Sequence, residues 1–230
     1  MQKQKIDPLY LTLHSDYNFV FCGIFRGTAC LAVAQEHKLT ASKNLMCRLT
    51  TILKEQKISW VDLDFIGVNQ GPSPFTTLRV VITTVNGLLF AKKIPLVGVD
   101  GLRAFLTEYQ NTQSDIAITL LNAFNNDIYF GISYPDGTTE TGWGFYATFL
   151  NEFQIKYPNA SITFAGNGVS MHLETITNLF PAAFIPNPIP ESVNLLTIAA
   201  CALLQWNKGE ASSIPLLPLY LKTLHYIPST

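Results

Sequence analysis

The spacing of apolar and polar positions changes several times along the chain, and each change predicts an element. YLTL (10–13), FVFCGIF (19–25) and ACLAVA (29–34) are short apolar runs parted by HSDYN and Arg26-Gly27-Thr28, a pattern that predicts three antiparallel strands joined by tight turns. The period then lengthens. SKNLMCRLTTILKEQK (42–57) sets Leu45, Met46, Leu49, Ile52 and Leu53 on one face, with Ser42 as N-cap and Lys54 and Lys57 near the end, so an amphipathic helix is expected. FIGVN (65–69) and PLVGV (95–99) are unbroken apolar runs of the kind found in strands buried on both faces. Between them, the period predicts a helix from about 75 to 92.

The second half repeats this order. AITLLNAF, IYFGISY and TTETGW are expected strands, FYATFLNEFQIK a helix, and SITFAGNG a strand running into a glycine-rich turn. A last helix, 191–208 in ESVNLLTIAACALLQWNKG, has Ser192 as its expected N-cap and Gly209 at its C-terminal stop. The pattern thus predicts an α/β chain of two βββαβ halves, 1–104 and 105–230, whose final helix can pack back on the first half. IPNPIP (185–190) and SSIPLLP (212–218) are connectors punctuated by proline.

Faces of the 75–92 helix carry more information than its existence. Leu78, Val81, Ile82, Val85 and Leu89 form one stripe suited to a sheet. A second arc, Thr77, Val80, Thr84, Gly87, Leu88 and Ala91, is also small or apolar, which leaves Arg79, Thr83 and Asn86 as the polar strip. Gly87 in a helix interior costs about 1 kcal/mol against alanine, so a close packing partner is expected. That partner is the neighbouring helix 42–57, a helix from another chain, or both, since two adjacent helices can present a joint surface.

Composition narrows the chemistry. Of 230 residues, 48% are hydrophobic and 13% charged, with a net charge of −1, which favours packed cores and offers no basic surface for nucleic acid. The first residues are interrupted by Asp7, Pro8 and His14, and the longest apolar run contains Asn194, Thr197 and Gln205, so neither a signal peptide nor a membrane span is expected and the location expected is cytoplasmic. Cys22, Cys30, Cys47 and Cys201 lack metal-type pairing and read as free thiols. His14, His37, His172 and His225 form no HxxxH pattern, and Asp62 and Asp64 fall at a helix-to-strand connection where carboxylates face solvent. Ser73 and Ser170 have neither a GxSxG elbow nor a histidine partner. GPSPFTTLR (71–79) follows a strand and opens a helix, as an anion cradle does, yet Pro72 and Pro74 remove two amide donors and no Walker lysine is present. No cofactor and no metal are expected.

The segment GPSPFTTLRVVITTVNGLLFAKKIPLVGVDGL resembles the signature of the bacterial TsaB (YeaZ) family, GPGSFTGLR followed by a Thr-x-x-Gly-Leu helix and IPLVGVSSL. NAFNNDIYFG (122–131) is similar to that family's DARRGEVY, GNG (166–168) to its glycine turn, and PLYLK (218–222) to its closing P-x-Y-L-R. The resemblance implies the actin-like ATPase (ASKHA) fold with two RNase H-like domains. It also implies a non-catalytic subunit of the machinery that makes N6-threonylcarbamoyladenosine in tRNA. The catalytic chain would be a TsaD-like partner and a TsaE-like ATPase would join them, with tRNA bound mainly through the partner. Helices 42–57 and 75–92 would meet TsaD, or a second copy when TsaD is missing. The implied contact residues are Leu45, Leu49, Thr77, Arg79, Val80, Thr84, Gly87, Leu88 and Ala91, presented by a signature loop of Gly71, Pro72, Phe75 and Thr76. The sequence departs from the family where Leu13-His14-Ser15 replaces Asp-Thr-Ser, and where Ser73, Pro74, Thr77 and Val81 replace signature residues. A small ATP-dependent phosphotransferase or hydrolase of the same fold is the alternative, and the missing aspartate counts against it.

Overall fold

Three hairpin-linked strands open the computed structural model, which describes residues 7–109 and 114–222. β1 (Leu9–Ser15), β2 (Phe19–Arg26) and β3 (Ala29–His37) are antiparallel neighbours, with Leu9 opposite Arg26 and Phe19 opposite His37. α1 (Ala41–Glu55) follows, then β4 (Phe65–Asn69), α2 (Phe75–Lys92) and β5 (Leu96–Val99). β4 runs parallel to β1 with Leu11 beside Ile66, β5 runs parallel to β4, and the sheet order is β3-β2-β1-β4-β5.

Alternation along β1 sorts the two faces of this sheet. Leu9, Leu11 and Leu13 join the helices α1 and α2 in one apolar cluster with Ile66, Val68 and Leu96. Tyr10 faces the other way, where α7 (Leu195–Asn207) packs. There Phe25, Tyr10, Phe65 and Trp206 stack in series, with centroids 5.3, 4.4 and 4.7 Å apart, and the Tyr10 hydroxyl donates to Ala199 O at 3.3 Å. Gly67 permits this approach, because a Cβ on it would lie 2.6 Å from that of Ala202.

The second sheet repeats the pattern. β6 (Ile116–Asn122), β7 (Asp127–Ser133) and β8 (Thr139–Phe145) are antiparallel neighbours, α4 (Tyr146–Lys156) returns the chain, and β9 (Ile162–Ala165) pairs parallel to β6 in the order β8-β7-β6-β9. Its core joins Ile118, Leu120, Ile128 and Ile132 to Leu150 and Phe153 of α4 and to Ile176. Three short helices complete the inventory: α3 (Gly101–Thr107), α5 (Asn167–Met171) and α6 (Leu173–Leu179). α7 spans Leu195–Asn207.

The chain forms two compact units, 1–104 with 193–219, and 105–192 with 220–230. Residues 193–219 of the expected second half therefore belong to the first unit. The N-cap of α7 is Asn194, whose side chain accepts the Leu196 N–H at 2.8 Å, so the cap is two residues beyond Ser192. Likewise α1 begins at Ala41, one residue ahead of Ser42, and Thr40 before it makes no side-chain cap because its hydroxyl bonds to Glu36. β6 ends at Asn122 because Phe124, Asn125 and Asn126 all adopt left-handed backbone, which no strand accommodates.

Candidate functional site

The C-terminal ends of the parallel strands β1 and β4 bring His14, Ser15 and Asn69 beside the loop that precedes α2, a place where open α/β sheets commonly hold ligands. Here the polar atoms serve one another. Asn69 Oδ1 accepts the Gly71 N–H at 2.9 Å, which aims its Nδ2 at His14 Nδ1, 2.7 Å away. His14 must accept there, so it is neutral with its proton on Nε2. Burial lowers its pKa to about 4, with the nearby Asp16 charge opposing. The hydroxyls of Ser15 and Ser73 lie 2.9 Å apart. Gly71 O accepts the Gly101 N–H at 2.8 Å, and a Cβ at Gly101 would strike Asn69 Oδ1 at 2.5 Å. Gly71, in positive φ at +112°, and Pro72 are buried in this knot, whereas Phe75 and Thr76 stand exposed at the head of α2. The Arg79 guanidinium lies 4.7 Å from the Phe75 ring centroid.

α1 and α2 lie side by side on one face of the first sheet. The expected stripe of Leu78, Val81, Ile82, Val85 and Leu89 is buried beneath α2. The second arc divides, and four of the nine expected contact residues turn inward. Leu45, Leu49, Thr77 and Leu88 are buried, at 2%, 0%, 5% and 4% exposure, and the three leucines lie in one cluster with the sheet. Packing α1 against α2 covers them, a placement that a single-helix pattern does not contain. Arg79, Gly87 and Ala91 remain exposed, and Val80 and Thr84 half-buried. Phe75, Phe90 and Met46 add exposed apolar surface. A depression of about 420 Å³ runs beside Ser42, Phe75, Arg79, Val80, Thr83 and Thr84.

Two details mark this outer face. Thr84 Oγ1 donates to Val80 O at 2.7 Å and Thr50 Oγ1 to Met46 O at 2.8 Å, so both hydroxyls are turned back on their own helices. A Cβ at Gly87 would find no atom within 4 Å. The helix therefore carries a glycine that its own chain does not require.

Sequence reading missed the strap that holds α2. Asn86, expected on the polar strip, bonds Leu216 twice, Nδ2 donating to its O at 2.9 Å and Oδ1 accepting its N–H at 2.8 Å. Gln70 Nε2 donates to Leu217 O, Leu219 N donates to Gln70 O, and Ser212 pairs with Leu96 of β5. The prolines of SSIPLLP were the available signal, since they favour an extended segment.

In the second unit the NAFNNDIYFG and PLYLK segments meet. Lys222 Nζ donates to Asp127 Oδ2 at 2.7 Å and to Ala123 O at 3.2 Å, and lies 5.6 Å from the Trp143 ring centroid. The remaining candidates have structural partners. Asp62 caps a short helical turn through the Ser59 N–H and hydroxyl, and Asp64 accepts the Leu9 N–H. His172 stacks on Tyr146 at 3.7 Å, His37 meets the Phe19 ring edge-on, and His225 lies outside the described residues. Among the described residues no three His, Cys, Asp or Glu side chains form a metal-binding group, and no helix is long and apolar enough to cross a membrane.

Residues 32–187 match the family model described as TsaD: tRNA N6-adenosine threonylcarbamoyltransferase. The chain is 21% identical over 124 residues to the tRNA threonylcarbamoyladenosine biosynthesis protein TsaB of Buchnera aphidicola from Acyrthosiphon pisum, covering 53% of this chain and 56% of that protein. It is 20% identical over 130 residues to TsaB of Buchnera aphidicola from Schizaphis graminum, covering 55% and 60%. The matches thus span little more than half the length of these relatives. Among solved structures, a Pseudomonas aeruginosa protein described as similar to peptidase YeaZ superposes with a TM-score of 0.67 at 20% identity, covering 94% of this chain and 100% of that one. YeaZ from Pseudomonas aeruginosa gives 0.64 at 18% identity, covering 91% and 99%. These likenesses show the fold, an α/β chain in which a βββαβ arrangement occurs twice.

Proposed function

This chain belongs to the tRNA N6-adenosine threonylcarbamoyltransferase family as a divergent TsaB/YeaZ member, and on that premise we propose that it is a non-catalytic subunit of the threonylcarbamoyladenosine machinery. It docks on a TsaD-like catalytic chain through the outer faces of α1 and α2. Gly87 is the observation that carries this reading. An interior helix glycine costs about 1 kcal/mol against alanine, and the space around its missing side chain is open. Close approach of a partner helix would use that space. Val80, Thr84 and Ala91 would form the middle of the contact, and Arg79 with Phe75 its rim.

The crevice beside β1 supports the non-catalytic part of the proposal. His14 stands where the family has an aspartate, and its bond to Asn69 keeps it uncharged. The alternative, an ATP-dependent phosphotransferase or hydrolase, would need charged groups there to orient nucleotide phosphates. Catalysis and most tRNA contact would fall to the TsaD-like chain, in keeping with the net charge of −1 here. A TsaE-like ATPase would join the pair in the cytoplasm, and a second copy of this chain would cover the same face when the partner is missing.

The test is co-expression with the TsaD-like chain of the same organism, followed by size-exclusion chromatography of wild type and Gly87→Leu. The substitution improves helix propensity, so the variant should stay folded and lose co-elution. A folded Gly87→Leu that still co-elutes with the partner would remove the α2 contact from the proposal.

A further inference from the structure

The second sheet ends at β8 among the described residues, and its register fixes which backbone groups are used. The bonds from Tyr134 N to Thr138 O and from Tyr146 N to Asn126 O, both 3.0 Å, frame the β7–β8 hairpin. By the alternation of antiparallel pairing, Glu140, Gly142 and Gly144 bond to β7, while the N–H and C=O of Thr141 and Trp143 point away from it. On the α4 side of this edge lies a groove of about 340 Å³. Its apolar floor is Phe130 stacked on Phe149, with centroids 4.5 Å apart and planes at 25°.

Two glycines shape the edge differently. At Gly142 the Phe130 ring occupies the place of a side chain, 2.5 Å from where Cβ would be. At Gly144 a Cβ would meet nothing within 4 Å, so the strand is bare where the groove opens. The rim is acidic. Glu140 and Glu152 line the groove and Asp136 its continuation, against Lys156 among the described lining residues, while Lys222 Nζ lies 5.6 Å from the ring centroid of Trp143. Glu140 also accepts the Tyr134 hydroxyl at 3.1 Å.

We propose that this groove receives an extended basic segment of another protein. The segment adds as a strand along β8, pairing with Thr141 and Trp143, and lays an Arg or Lys side chain across Phe130 and Phe149 toward Glu140 and Glu152. Each part answers an observed feature. The outward backbone groups accept a strand, the aromatic floor suits the apolar stem of a long basic side chain, and the carboxylates with the ring faces suit its charged head. Gly144 leaves the room. The site is separate from the α1/α2 face, so either reading can fail without the other.

The experiment titrates the full chain with a capped peptide of alternating arginine and valine, read by calorimetry and tryptophan emission. Saturable binding is expected, weakened roughly tenfold in Glu140→Gln/Glu152→Gln by loss of two charge-assisted contacts, and weakened also in Gly144→Val. A peptide N-methylated at every amide, which leaves neither strand edge a donor, should not bind. The variants should melt with the wild type, which separates loss of the site from loss of the fold. Failure of the arginine peptide to saturate would overturn the proposal, as would equal binding by the doubly neutralised variant or by the methylated peptide. Equal competition by arginine amide alone would make the occupant a small cation and overturn the strand.

Discussion

The crevice at the ends of β1 and β4 and the outer face of α1 and α2 are joined by one loop, yet they are built on opposite terms. In the crevice, hydrogen-bonding groups that a ligand would need are engaged with each other: His14 with Asn69, Asn69 with Gly71, Gly71 with Gly101, Ser15 with Ser73. On the helices, hydroxyls are folded back on the backbone, a glycine stands beside empty space, and Phe75 and Phe90 face outward. One region is complete within the chain. The other carries features that its own chain does not use, and that contrast supports the proposal of a contact on the helices.

Acid should strain the first region most. The folded pKa of His14 is about 4 against 6.5 when unfolded, so its neutral form contributes stability above pH 6.5 that is lost as pH falls toward 4. The loss should reach on the order of 3 kcal/mol, measurable as a falling denaturation midpoint between those pH values, and His14→Gln should flatten that part of the profile. Asn69→Leu comes next. It leaves the His14 Nδ1 and the Gly71 N–H without their observed partner, and urea unfolding should show about 2 kcal/mol of destabilisation. Gly87→Ala on the helix face should do the reverse, raising stability by about 1 kcal/mol while weakening co-elution with the TsaD-like chain. Thr84→Val should be nearly silent, within about 0.5 kcal/mol, since the hydroxyl it removes bonds only inward to Val80 O; a large loss of partner binding there would show that the hydroxyl reaches outward.

Local periodicity made most strands and the long helices legible, because a stripe such as Leu78, Val81, Ile82, Val85 and Leu89 needs only its own helix to define it. Thr77 and Leu88, expected at a partner contact, are buried within this chain, and burial of that side of α2 depends on tertiary packing that no pattern within α2 encodes. His14 at the end of the first strand was visible in the sequence, but its neutralising bond to Asn69 joins positions 55 residues apart. α3, α5 and α6, of five to seven residues, are too short to show a helical period. Asn86 looked like a solvent residue because its partner, Leu216, is 130 positions away.

That distance has a consequence for biogenesis. Asn86 fastens α2, and Gln70 the end of β4 before it, to residues 216–219, and Ser212 pairs with the border of β5. A nascent chain emerging from the ribosome therefore displays α2 long before the buckle that steadies it has been synthesised. Assembly with any companion through that helix is thus expected to await synthesis of residues 216–219.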